Sequence, residues 1–402
     1  MKRFGLYLLF AVLMPVCVWA QGTDDEEEED LPVYPGAYDM NAYLPMLEGK
    51  KVGIVMNQTS EINRTSLLDT LLSRNVKVKK VYTPEHGFRG LSAEGETVEN
   101  GVDAKTKTPI VSLYGNNKKP TDKQLKGIDV MIFDLQDVGV RFYTYISTLE
   151  YVMQACAEND IHLIVLDRPN PNGFYIDGPV LDTSLRSFVG MQPVPIVYGM
   201  TIGEYAKMLQ GEGWAKGTEQ LKMDVILCKN YEHFIRYKLP VAPSPNLPNA
   251  TSILCYPSLC LMEGTVMSIG RGTDKPFQQW GHPSLKGKSS YYFTPVPYWG
   301  QKTKPLHAYQ DCYGQLAAMN ESDAYYLLKD QLRLLFIQKA YYLFPEKDKF
   351  FNDYFEKLAG TRELRRQIEK GVKEEDIKAS WQKDINAFKK IRKKYVLYKD
   401  FE

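Results

Sequence analysis

Six acidic side chains and one imidazole fall where they could act together on a polar substrate. Glu85 sits in Pro84-Glu85-His86-Gly87, a run too polar and too rigid for the middle of a regular element. Glu94 and Glu96 follow in a glycine-containing loop over residues 88–97, which is expected to fold over a site as a lid. Asp134 and Asp137 bracket Leu135-Gln136, and Asp167 opens Asp167-Arg168-Pro169-Asn170. Hydrolysis of a glycosidic bond usually takes two carboxyl groups, one protonated to assist the departing oxygen and one ionised. Carboxylates crowded in a partly dry crevice separate their pKa values, because one charge disfavours the next. Plainer roles stand beside this one. Glu94 and Glu96 also read as surface acids, and Asp134 as a buried acid bonding loop amides.

Other side chains near these acids suit a ligand with a carboxylate and an apolar face. Arg141, Tyr143 and Tyr145 follow Asp137 closely, and a guanidinium can grip a carboxylate while rings cover sugar faces. The same two tyrosines could instead pack a helix onto a sheet. Arg168 and Asn170 lie in a rigid polar turn able to position hydroxyls or to bond itself. Asn57 ends the first strand. His86, next to Glu85 and with two aspartates expected nearby in the fold, could bind a metal, but a metal site normally offers three or four well-placed ligands and only one histidine is available, so no metal is expected.

These residues share an edge only if the chain folds in a particular way. Apolar runs over residues 51–56, 78–83, 109–114, 129–133 and 162–166 each end in one of the polar clusters, and helical stretches separate most of them. That alternation predicts an α/β fold with a parallel sheet, whose carboxyl-edge loops open on one side, where ligands bind. The clearest helix is predicted over 144–159, from the spacing of Ile146, Leu149, Val152, Met153 and Cys156. Thr121 and Thr201 are expected helix caps, the second with Glu204 in a capping box. Further strands are expected over 193–198 and 221–228. Beyond residue 240, five prolines between Pro240 and Pro257 predict an irregular stretch. Short strands over 264–272 and 291–299 and helices over 323–336 and 375–392 then make a smaller, mixed α+β part. The expected division is a leader over 1–20, an acidic spacer and lead-in over 21–47, a parallel-sheet α/β domain over 48–240 and a second, mixed domain over 241–402.

Composition narrows the function classes. The chain has 402 residues and a formal net charge of +1, so it lacks the basic field that nucleic-acid binding needs. Lys2-Arg3, an apolar stretch from Leu6 to Val16 and Val18-Trp19-Ala20 read as a secretory leader, too short to span a bilayer comfortably. Cys17 offers a lipid-anchored alternative. Seven consecutive acids over 24–30 predict a solvated spacer. Of the five later cysteines, Cys255 and Cys260 are close enough in sequence to pair, while Cys156 and Cys228 read as packed residues. The basic run over 389–394 reads as a solvated helix end. No dinucleotide fingerprint follows the first strand, no lysine completes a P-loop near Gly270, and no Gly-x-Ser-x-Gly elbow exists, so no cofactor is expected.

Several of these segments, in order, resemble one family. Pro84-Glu85-His86-Gly87-Phe88-Arg89-Gly90, the run Phe133-Asp134-Leu135-Gln136-Asp137-Val138-Gly139 with Arg141-Phe142-Tyr143-Thr144-Tyr145, and Asp167-Arg168-Pro169-Asn170-Pro171 are similar to the exo-β-N-acetylmuramidases, the NamZ-like proteins long held as a family of unknown function. The similarity continues through Tyr198-Gly199-Met200-Thr201, Pro243-Ser244-Pro245-Asn246, Glu263-Gly264-Thr265, residues 268–273 and Arg392-Lys393-Lys394-Tyr395, and covers roughly residues 48–398. It implies a Rossmann-like domain with an auxiliary C-terminal domain, a site in the cleft between them, and release of terminal N-acetylmuramic acid from the non-reducing end of peptidoglycan fragments. The charge balance gives no reason to expect a nucleic-acid partner, and no later run reaches 18 apolar residues, so no transmembrane segment is expected. The lactyl carboxylate of that sugar would meet Arg141 or Arg271, and Asn246 joins the expected substrate contacts. Glu85 is the expected general acid, with Asp137 or Glu94 as the second carboxylate. A substrate-assisted route stays open, in which His86 or Asp137 orients the 2-acetamido group. An exported sugar-binding protein without turnover, and a cell-wall sugar esterase or deacetylase, are the competing readings.

Overall fold

The apolar run after Lys51 becomes the middle of a seven-stranded sheet. The computed structural model describes Met1 and residues 31–85, 87–88, 100–297 and 303–402. From edge to edge the strands are Gly101–Val102, Pro109–Ser112, Lys77–Thr83, Lys51–Met56, Val130–Asp134, His162–Leu166 and Met223–Ile226. All neighbours are parallel except the outermost pair, Gly101–Val102 against Pro109–Ser112. The order runs backwards through three parallel strands and then forwards from Val130–Asp134. The switch therefore lies between Lys51–Met56 and Val130–Asp134, where the carboxyl edge opens a crevice in sheets of this kind. This is the α/β, Rossmann-like sheet expected of the sequence.

Burial on both faces explains why these strands are nearly continuous apolar runs. Side chains alternate across the sheet. Val52, Ile54 and Met56 join one apolar cluster, under the helices Met40–Leu47 and Leu67–Ser73. Val55, Met131, Phe133, Leu163 and Val165 join the other, with the helices Tyr145–Glu158 and Ile202–Gly211. The second cluster runs on without a break to Trp280, Phe336, Phe350 and Trp381, and Val33–Glu402 is one compact unit. The C-terminal part carries a small antiparallel sheet, Gln279–His282, Cys312–Leu316 and Tyr292–Phe293, with Cys312–Leu316 in the middle.

Both expected caps form. Thr121 and Thr201 each accept from the backbone three residues on, with Gln124 and Glu204 answering in capping boxes. Several expectations need correction. The stretch with five prolines contains the helix Ala250–Leu259, with Pro257 inside it. A helical proline leaves the carbonyl four residues back without its donor; here that carbonyl, Ile253 O, accepts from Asn172 Nδ2 at 3.3 Å. The expected helix over 323–336 is two, Glu321–Leu328 and Leu335–Leu343, parted by left-handed Lys329 and Asp330. The one over 375–392 breaks at Trp381, although Ile377, Trp381, Ile385 and Phe388 of its expected apolar stripe are buried and Ile391 is half-buried. Residues 193–198 make only single bridges, through Val197 to Val140 and Asp177. Cys255 and Cys260 are not joined by a disulfide.

The basic run near the C-terminus is not simply a solvated helix end. Arg392 is buried, donates to Gly199 O and holds Asp400 with two nitrogens. The tail then lies on the sheet layer: Tyr398 donates to Asp167, Leu397 N–H to Glu204, and His233 N–H to Lys399 O. No helix among the described residues is long and apolar enough to cross a membrane.

Candidate active site

A cavity of about 420 Å³ opens where loops from the carboxyl edge meet the C-terminal part. Glu85, Tyr143 and Tyr145 line it from the sheet side, and Asn246, Glu263 and Arg271 from later in the chain. Glu85 arrives on the turn that ends the Lys77–Thr83 strand. Tyr143 and Tyr145 arrive because Gly139 bends the chain sharply after the Val130–Asp134 strand. Gly139 has φ +73°, and a Cβ there would lie 2.2 Å from Asn170 Oδ1, so only glycine fits.

The two tyrosine rings meet edge to face at 4.7 Å, and Tyr256 continues the aromatic wall from Tyr143 to Phe277. Tyr143 donates its hydroxyl to Pro243 O, and Tyr145 accepts from Asn57 Nδ2 at 2.8 Å. Asn57 is itself fixed, its Oδ1 accepting from the Thr59 amide and hydroxyl. Burial raises both phenols well above their ordinary pKa, and the charges of Glu85 and Asp137 add to the rise. Both therefore stay protonated through the physiological range. Also on the cavity wall, Arg271 donates from two nitrogens to one oxygen of Glu263 and lies over the Phe277 ring, and the Cys260 thiol donates to the other oxygen.

The chain matches two family models end to end. The N-terminal domain of exo-β-N-acetylmuramidase NamZ spans residues 52–251, and the C-terminal domain of the same family spans 254–398. This chain belongs to the NamZ family. It is 38% identical over 373 residues to the peptidoglycan β-N-acetylmuramidase NamZ of Bacillus subtilis strain 168, covering 89% of each chain. Among solved structures, a DUF1343 family protein of Bacteroides fragilis NCTC 9343 shares 43% identity with a TM-score of 0.84, over 92% of this chain and all of the other. A second DUF1343 protein of that organism shares 28% identity at a TM-score of 0.74, over 91% and 99%.

The NamZ motifs divide into two layers. Glu85, Tyr143, Tyr145, Asn246 and Arg271 line the cavity, with Asn57 directly behind. His86 and Glu94 lie outside the described residues. The remaining candidates are buried and do not line the cavity, and protein partners engage most of their polar atoms. Asp134 is fully buried and takes Arg168 Nε and Nη2 at 2.5 and 3.0 Å, so each cancels the other's charge. Asp167 accepts from Thr201, Tyr398 and the Gly203 amide, seating the start of the Ile202–Gly211 helix. Burial pushes its pKa up to about 6 against those donors. Asn170 donates to Met200 O and accepts from the Asn172 amide.

Asp137 and Arg141 need the clearest correction. Asp137 is 4% exposed and is not among the residues lining the cavity; one of its oxygens takes the Tyr198 hydroxyl and the Gly139 amide. Its other oxygen is buried without a partner, and burial raises its pKa to about 6. Arg141 is fully buried, and its two terminal nitrogens donate to four carbonyls, of Pro179, Val194, Leu358 and Ala359, at 2.8–2.9 Å. It cannot reach a ligand carboxylate. Gly360 lies tight against it, where a Cβ would come within 2.4 Å of Nη2.

Sequence reasoning passed over Glu263, Tyr256 and Lys118 as site groups. Glu263 lies within a segment that carried the family resemblance, which was its one signal. Lys118 lies in Asn116-Asn117-Lys118-Lys119, a run no different in type from a solvated turn. Among the described residues no cluster of three or more His, Cys, Asp or Glu could hold a metal ion.

Proposed function

We propose that this chain is a peptidoglycan glycosidase that removes terminal N-acetylmuramic acid from the non-reducing end of cell-wall fragments, with Glu85 as general acid. Family membership supports the glycosidase class. The observation that carries the assignment to Glu85 is its place on the wall of a cavity that the Tyr143–Tyr145 pair, Glu263 and Arg271 also line. In the reaction Glu85 gives its proton to the glycosidic oxygen as the bond from that oxygen to the anomeric carbon breaks. The oxygen of a water ends on the anomeric carbon, and its spare proton passes to a carboxylate. Glu263, which Arg271 favours in its charged form, is the ionised carboxylate on the wall. Tyr143 and Tyr145 supply ring faces for the sugar and Asn246 an amide for its polar groups. The leader-like first twenty residues support an exported enzyme, on the side of the membrane where peptidoglycan lies.

A chromogenic β-N-acetylmuramide tests this. The wild type should release the chromophore, and Glu85→Gln should lower kcat by roughly 10²- to 10⁴-fold, the usual worth of a general acid, with its melting temperature unchanged. Undiminished turnover in Glu85→Gln would remove the assignment. Tight binding of the glycoside by the wild type without release would favour a binding protein, and acetate without free muramic acid would favour a deacetylase.

A further inference from the structure

We infer that Lys118 reads the lactyl carboxylate of the terminal muramic acid, the group that separates this sugar from N-acetylglucosamine. The inference rests on the substrate class proposed above and adds to it the residue that enforces the choice. Among the described residues, the charged side chains on the cavity wall are Glu85, Glu263, Lys118, Arg271 and Lys357. Arg271 is committed to Glu263. Lys118 and Lys357 line the cavity with no carboxylate partner among the described residues. A neutral sugar offers neither of them a counter-charge, and a sugar with one carboxylate does.

Lys118 is the better placed of the two. It is half-buried, and its Nζ lies 4.4 Å from the centroid of the Phe188 ring, which also lines the cavity. Phe188 is held from below by the helix that begins at Tyr145. Its ring stacks on Tyr151 at 6.1 Å and 11°, and its carbonyl accepts from Ser147 Oγ at 2.7 Å. The ring thus fixes the ammonium in place and shields one side of it from water. Three N–H donors remain to share between solvent and a ligand, and partial shielding strengthens a charged pair. Lys357, by contrast, is exposed and shared with a neighbouring groove lined by Arg362 and Arg366.

The test uses Lys118→Met, which keeps an apolar stem over the ring and removes the charge, with Lys118→Arg as the conservative control. Three chromogenic substrates separate the effects: the β-N-acetylmuramide, its lactyl methyl ester and the β-N-acetylglucosaminide. Lys118→Met should lose roughly 10- to 100-fold in kcat/KM on the free acid, the range for a charge-assisted hydrogen bond, and should leave the ester and the glucosaminide as in the wild type. Lys118→Arg should recover part of the loss. Added salt should raise KM for the free acid in the wild type and not in Lys118→Met. An equal loss on all three substrates, no loss on the free acid, or the same selective loss in Lys357→Met but not in Lys118→Met would overturn the inference. If the wild type cleaves none of them, the glycosidase reading fails and calorimetry decides for Lys118. Weaker binding of N-acetylmuramic acid alone in Lys118→Met then sustains it, and unchanged binding of that acid overturns it.

Discussion

The wall of the cavity and the layer beneath it are built from the same residue types on the same strand ends, yet they differ in one respect. Beneath, protein partners engage each carboxylate and guanidinium: Asp134 with Arg168, Asp167 with Thr201, Tyr398 and Gly203, and Arg141 with four carbonyls. On the wall, Glu85 and Lys118 have surface facing the cavity. A polar side chain whose partners are all internal, and which has no surface on the cavity, cannot also hold a substrate, since breaking those bonds in a dry interior costs about 1–3 kcal/mol for each group left unpaired. The lower layer is therefore scaffold, and its polarity fixes the height and angle of the loops that carry the upper one.

The largest effect that would break this contrast is on stability. Arg141→Ala strands four carbonyls and leaves a hole, and should cost roughly 3–5 kcal/mol in urea unfolding, with activity falling alike on every sugar. A variant as stable as the wild type but selectively poor on muramic acid would return Arg141 to the cavity. Next comes a pH effect at Asp137. Its pKa is about 6 when folded against 3.8 ordinarily, so the folded state binds more protons between those values. Its contribution to stability is fully present below pH 3.8 and is lost as pH rises through about 6, on the order of 3 kcal/mol. Asp137→Asn lacks that titration, so its stability relative to wild type should climb by a similar amount across the window. A difference between the two that stays flat with pH would mean that Asp137 is already charged when folded. The smallest effect belongs to Asn57, which joins the layers. Asn57→Ala removes the donor to Tyr145 and should slow turnover by roughly 2- to 10-fold, as one neutral hydrogen bond would. An unchanged kcat would detach Tyr145 from the chemistry.

Much of the scaffold was legible because it is written locally. The strands Lys51–Met56 and His162–Leu166 occupy the apolar runs residue for residue, and the Thr201 capping box is a four-residue signal. The division between wall and scaffold is not local. The carbonyls that engage Arg141 lie between 38 and 218 residues away, so its neighbours in sequence suggest an anion site while its neighbours in space forbid one. Pro257 misled for a similar reason, because the donor that makes it tolerable comes from Asn172, 81 residues from the bonded Ile253. Lys118 was illegible in the opposite sense. Nothing in a turn of asparagines and lysines announces that Phe188, seventy residues on, will lie under one of them.

The way the tail is fastened has a consequence for how the molecule is made. Asp167 and Glu204 stand at the heart of the sheet layer, yet Asp167 takes a hydrogen bond from Tyr398 and Glu204 one from the Leu397 amide. When all seven strands have been made, those two donors are still missing. The layer around Asp167 and Glu204 is therefore completed by residues roughly two hundred positions later in the chain, and removing residues 397–400 should loosen it.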